Sequence, residues 1–141
     1  MELNIKSLWK RIHSKPMKES IFSNKVDLDI DYLQIVYDED LKSAKTAFKR
    51  YLDELPSNLF ELKQSFIDHD IYRFRQLCEK LSPEFNDVGL TDVGSQLKDL
   101  QQKCVVAKDM ILYDTEIKKV LGRIEASKKS VKMIFDRLPM C

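Results

Sequence analysis

Apolar side chains recur every three or four positions along most of this chain, and that spacing predicts helices rather than strands. The longest run lies between Asp38 and Asp68, where Leu41, Ala44, Phe48, Tyr51/Leu52, Leu55, Leu59, Leu62 and Phe66 share one face. Pro56 falls inside it with the apolar phase intact on both sides, so a bend is expected there, not an end. "DHD" at 68–70 predicts a tight connection with Asp70 as the next N-cap. Ile71, Phe74, Leu77/Cys78, Leu81, Phe85 and Val88 then continue at helical spacing straight through Pro83. Gly89 suits a helix C-terminus, and Thr91 or Asp92 is placed to cap a third helix with Val93, Leu97, Leu100 and Cys104 on its face. Ile117, Val120/Leu121, Ile124, Val131, Ile134/Phe135 and Leu138 mark a final long helix.

Two shorter helices are predicted upstream. "YLQIV" follows Asp29 and Asp31, either of which can cap it. Residues 3–12 set Leu3, Leu8, Trp9 and Ile12 beside Lys6, Lys10 and Arg11, an amphipathic pattern that stops before Pro16. Amphipathic helices with short connections pack as antiparallel neighbours. The expected fold is therefore all-α: an up-down antiparallel four-helix bundle over residues 26–141, preceded by a basic amphipathic helix and linker over 1–25.

Composition agrees and narrows the function classes. Three glycines and four prolines in 141 residues leave little room for the turns of a many-stranded sheet. A net charge of +1 gives no argument for a nucleic acid partner. Cys78, Cys104 and Cys141 are odd in number and form no Cys/His cluster, so free thiols in a reducing compartment are expected, with neither zinc nor a disulfide framework. No run of about 18 apolar residues predicts a transmembrane span, and the N-terminus lacks the apolar stretch of a secretory signal. A cytoplasmic protein is the expectation. Residues 1–18 do hold five basic side chains against Glu2 alone, a pattern suited to peripheral membrane contact or to packing on the bundle.

No catalytic constellation stands out: there is no glycine-rich phosphate loop, no G-x-S-x-G and no histidine pair at i, i+4. Imidazole chemistry is restricted to His13 and His69, and His69 sits in a turn between Asp68 and Asp70. Asp27, Asp29 and Asp31 alternate like the start of a calcium loop, but Tyr32 stands where the loop needs glycine and Asp38 where it needs glutamate. No enzyme activity, metal or cofactor is indicated.

The stretch "AFKRYLDELPSNLFELKQSFIDHDIYRFRQLCEKLSPEFNDVGLTDVGSQLKDLQQKC", residues 47–104, resembles the histidine-containing phosphotransfer (HPt) domain of bacterial phosphorelays. Phe48, Leu52, Leu55-Pro56, Leu59, Leu62 and Phe66 match the family's first helix, Asp70 its turn, and Arg75 and Leu77 the approach to its motif. Gly89 falls at the distance of the family's later glycine. The direct match covers somewhat under half the chain, and the flanking helices extend it to residues 29–138. The resemblance implies a helical bundle that docks on a response-regulator receiver domain or a hybrid histidine kinase.

The same resemblance locates a loss. The family's phosphorylated histidine falls on Glu79, its following lysine on Ser82 and its small glycine on Pro83, so "HxLKG" reads "EKLSP". Glu79 has no nitrogen to phosphorylate. Pro83 has no N–H for the Glu79 carbonyl, which predicts a bend at the site. The reading is a non-catalytic, pseudo-phosphotransfer interaction module whose contact face is Arg75, Gln76, Glu79, Lys80, Ser82 and Pro83. Its alternatives are an active phosphotransfer protein using His69 or His13, and a structural or membrane-surface adaptor.

Overall fold

The structure, a computed structural model, describes residues 28–107 and 109–139. The N-terminal amphipathic helix expected from the sequence, with His13, lies outside them, as does Cys141. Among the described residues every regular element is helical: α1 (Ile30–Tyr37), α2 (Leu41–Ile67), α3 (Ile71–Asn86), α4 (Thr91–Val106), a 3-10 turn (Met110–Tyr113) and α5 (Asp114–Arg137).

Local chemistry sets most of the helix starts. Asp29, Asp40 and Asp70 each accept a backbone N–H three residues on, from Tyr32, Ser43 and Arg73 at 3.0 Å, satisfying donors that have no partner inside the helix. The start of α4 departs from expectation. Its N-cap is Leu90, which makes no side-chain cap bond, and the Thr91 hydroxyl donates instead to the Asp29 carboxylate at 3.2 Å. The reason is burial: Leu90 is only 1% exposed and is needed in the core. The 3-10 turn is an element the apolar period does not predict; its Met110 is buried in the common core.

Pro56 and Pro83 both lie inside continuous helices. Each removes one N–H, but the apolar residues on either side stay in phase, so packing holds the helix together where its own ladder is interrupted. In α2 the buried face is Leu41, Ala44, Phe48, Tyr51, Leu55 and Leu62. In α3 it is Phe74, Leu77, Cys78, Leu81 and Phe85. Tyr51 and Phe85 meet edge to face at 5.5 Å between ring centroids.

Cross-links between helices give the direction of each neighbour. Arg73 of α3 reaches Glu61 of α2 at 3.4 Å, and Arg50 near the start of α2 faces Asp87 just past the end of α3 at 4.0 Å. Ser82, late in α3, bonds Gly94, early in α4. Lys103, late in α4, pairs with Glu116, early in α5, at 3.0 Å, while Arg123 faces Asp92 at 3.9 Å. Lys63 of α2 pairs with Glu125 of α5, and Lys45 donates to the carbonyls of Phe135 and Leu138 at 2.8 and 3.2 Å. Early residues of one helix meet late residues of the next throughout. The four long helices are an antiparallel bundle.

One glycine is required by its backbone. Gly89 ends α3 at φ +83°, and a Cβ there would come within 2.9 Å of Leu33. Its carbonyl accepts the Asp29 N–H at 2.8 Å, which ties the first described residues to the α3–α4 turn.

Candidate functional site

The register of α3 follows from its buried face. With Phe74, Leu77, Cys78, Leu81 and Phe85 inward, positions 72, 76, 79 and 83 turn to solvent in one stripe. Gln76, Glu79, Lys80 and Pro83 are exposed and Arg75 is half-buried. Glu79 enters no ion pair among the described residues. Pro83 stands one turn beyond it, presenting a rigid apolar ring beside a carboxylate.

Ser82 is a correction. It is buried, and its hydroxyl donates to the Gly94 carbonyl at 2.8 Å. The physical reason is phase: residue 82 lies four after Cys78 and one after Leu81, on the edge of the apolar face turned toward α4. Gly94 makes the approach feasible, because a Cβ there would overlap the Asn86 side-chain oxygen and come within 3.1 Å of the Ser82 carbonyl. Ser82 therefore joins α3 to α4 and is not part of the exposed face.

A residue the sequence reading missed takes its place. Tyr72 is 59% exposed and stands on the same stripe, three and four positions before Arg75 and Gln76. The Arg75 guanidinium lies 5.5 Å from its ring centroid, and the Gln76 side-chain amide donates to its hydroxyl at 3.0 Å. The i, i+3 and i, i+4 spacing was the available signal. Three polar or aromatic groups are thus held in place before any partner arrives.

His69 is separate from this face. It is exposed in the α2–α3 turn at φ +54°, with its backbone N–H given to the Phe66 carbonyl. Ten positions separate it from Glu79, about 15 Å along the axis. Cys78 and Cys104 are buried between α3 and α4, and burial pushes both thiols above the ordinary range, which suppresses the nucleophilic thiolate.

The flank of α3 facing α2 holds a shallow cleft lined by Arg50, Tyr51, Glu54, Leu55, Glu84 and Asp87. Burial, and then the neighbouring Glu54 carboxylate, raises the Glu84 pKa. Burial also raises Asp87, against the opposing pull of Arg50. The Tyr37 hydroxyl donates to the Asp87 carbonyl at 2.6 Å, and burial together with the Asp87 charge pushes its pKa up to about 12. Among the described residues no group of three His, Cys, Asp or Glu side chains is arranged to hold a metal ion. No helix among them is long and apolar enough to cross a membrane.

The fold and this stripe define an all-helical bundle that offers an organised surface. No protein-family model, curated protein or solved structure matches the chain.

Proposed function

We propose that this protein is a non-catalytic, HPt-like interaction module of phosphorelay signalling that binds a receiver domain, of a response regulator or a hybrid histidine kinase, without passing a phosphoryl group. The observation that carries this reading is the pre-arranged Tyr72–Gln76 pair on one exposed stripe with Glu79 and Pro83, flanked by the half-buried Arg75 stacked on Tyr72. Tyrosine and arginine are the side chains that most often anchor protein interfaces, and a cluster ordered in the free protein loses less entropy on binding.

The resemblance over residues 47–104 supplies the partner class. Glu79 occupies the place of the phosphorylated histidine, so docking is retained in this reading and transfer is not. A carboxylate facing the acidic pocket of a receiver is repulsive on its own. Arg75, one turn before Glu79, is the cation this reading would bring to the contact, by leaving the Tyr72 ring it rests on in the free protein. The burial of Ser82 leaves no counterpart of the family's motif lysine on the face, consistent with a contact that no longer stabilises phosphoryl charge.

The test is a pull-down from the source cell with wild type, Tyr72→Ala and Arg75→Ala/Glu79→Ala, each checked for helicity. Response regulators or hybrid kinases should be enriched by wild type and lost with the variants. Loss of one anchor should weaken the purified complex by about tenfold or more. A list free of receiver proteins would sink the proposal. Acid-labile phosphate on this chain, abolished by His69→Ala, would replace it with active transfer at His69.

A further inference from the structure

The short helix α1 has a solvent face that nothing among the described residues covers. It buries Ile30 and Leu33, yet leaves Ile35 81% and Val36 46% exposed. Asp31 lies one turn before Ile35 on the same stripe, and the exposed Asp38 and Glu39 follow where the helix ends. From Leu28 to Leu41 the chain carries Asp29, Asp31, Asp38, Glu39 and Asp40 and no lysine or arginine. Asp29 and Asp40 cap helices. Asp31, Asp38 and Glu39 enter no ion pair among the described residues. The face is, among the described residues, an apolar ridge beside acids that enter no ion pair, with Lys42 acting only on Asp40 at its far edge.

We infer that the N-terminal stretch of this same chain, residues 3–12, docks on that face. Leu3, Leu8, Trp9 and Ile12 match the ridge in character, and Lys6, Lys10 and Arg11 are opposite in sign and equal in number to the acids Asp31, Asp38 and Glu39. The tether favours this site. Residues 13–27 connect the stretch to Leu28, a length that spans at most about 50 Å, while α1 begins two residues later and is only about 12 Å long. Covalent attachment at such short range gives a high effective concentration. Another exposed apolar group, Val105, Val106, Ile111 and Leu112, lies toward the far end of α4, whose first residue Thr91 bonds Asp29, about 22 Å away along that helix. Charge there is matched internally, Lys103 by Asp99 and Glu116 and Lys118 by Asp114, so it has no comparable draw for a basic segment. Docking on α1 occupies the apolar residues a membrane surface would need, so the two uses of the stretch exclude each other.

Trp9 is the only tryptophan in the chain, so intrinsic fluorescence of the full-length protein reads this contact directly. The expected result is blue-shifted emission, protected from acrylamide and independent of protein concentration. Ile35→Ser/Glu39→Lys, which alters two exposed positions, should shift the emission to that of solvated tryptophan and raise quenching several-fold, with the bundle still folding cooperatively and its Tm lowered only by the lost contact. Solvated emission in the wild type overturns the inference, as does protection unaltered by the double variant, which places the stretch elsewhere. Protection that grows with protein concentration assigns the face to a second copy. Protection seen only with anionic vesicles assigns the stretch to a membrane. Either outcome also overturns it.

Discussion

Gly94 and Gly122 both lie inside helices, and their surroundings give them opposite roles. A Cβ at residue 94 would collide with Asn86 and crowd the Ser82 carbonyl, whereas nothing lies within 4 Å of one at residue 122. Alanine gains about 1 kcal/mol over glycine in a helix interior at either site. At 122 that gain is unopposed, so Gly122→Ala should raise stability by about 1 kcal/mol. At 94 overpacking costs roughly 1–3 kcal/mol and outweighs it. Gly94→Ala should lower stability by about 1 kcal/mol, with Asn86 forced to rotate. Denaturant melts of the two variants decide. Neither role was legible in the sequence, where both are simply glycines in an amphipathic pattern. Ser82 has the same history: serine at that position suits a surface, and only the approach of α4 showed it as an interior hydrogen-bond donor.

Among the helices, α3 carries the most information about the candidate site and the most local conflict. Pro83 withdraws a donor from the Glu79 carbonyl, yet the helix runs from Ile71 to Asn86 because Leu81 and Phe85 bury side chains on both sides of it. Restoring the N–H by Pro83→Ala should therefore stabilise the protein by about 1–3 kcal/mol, readable as a higher midpoint in thermal or denaturant unfolding. The apolar period predicts α1, α2, α3, α4 and α5, and local residue chemistry predicts the Asp70 cap and the glycine stop at 89. Prediction fails at Thr91, because capping competes with burying Leu90, and at Met110–Tyr113, where four residues are too few for a period to register.

For the whole molecule, the cleft between α2 and α3 sets a pH dependence. Burial and Glu54 raise the Glu84 pKa, so the folded state holds that proton more tightly than the unfolded chain. Its contribution is complete below the ordinary glutamate value, about 4.3, and is lost as pH rises through the raised folded value. Asp87 acts in the same direction, whereas Asp40, lowered by its Ser43 hydrogen bonds, contributes above the ordinary aspartate value and loses that contribution on acidification. Glu84→Gln should melt higher than wild type at about pH 7, with the difference closing toward about pH 4. Paired melting curves of the two proteins across that range give the comparison, and a difference that does not vary with pH would remove Glu84 as its source.

What the sequence by itself determined is the class and order of the elements, since a 3.6-residue period in apolar side chains is a local property that survives any arrangement of neighbours. It also put Gln76, Glu79, Lys80 and Pro83 on the polar side of the α3 period. The tertiary structure decided which polar residues face outward. Ser82 turned in because α4 packs close against that edge of α3, an approach that depends on residue 94 having no Cβ. Pairing across helices depends on contacts between positions far apart in the chain, and no local pattern encodes them.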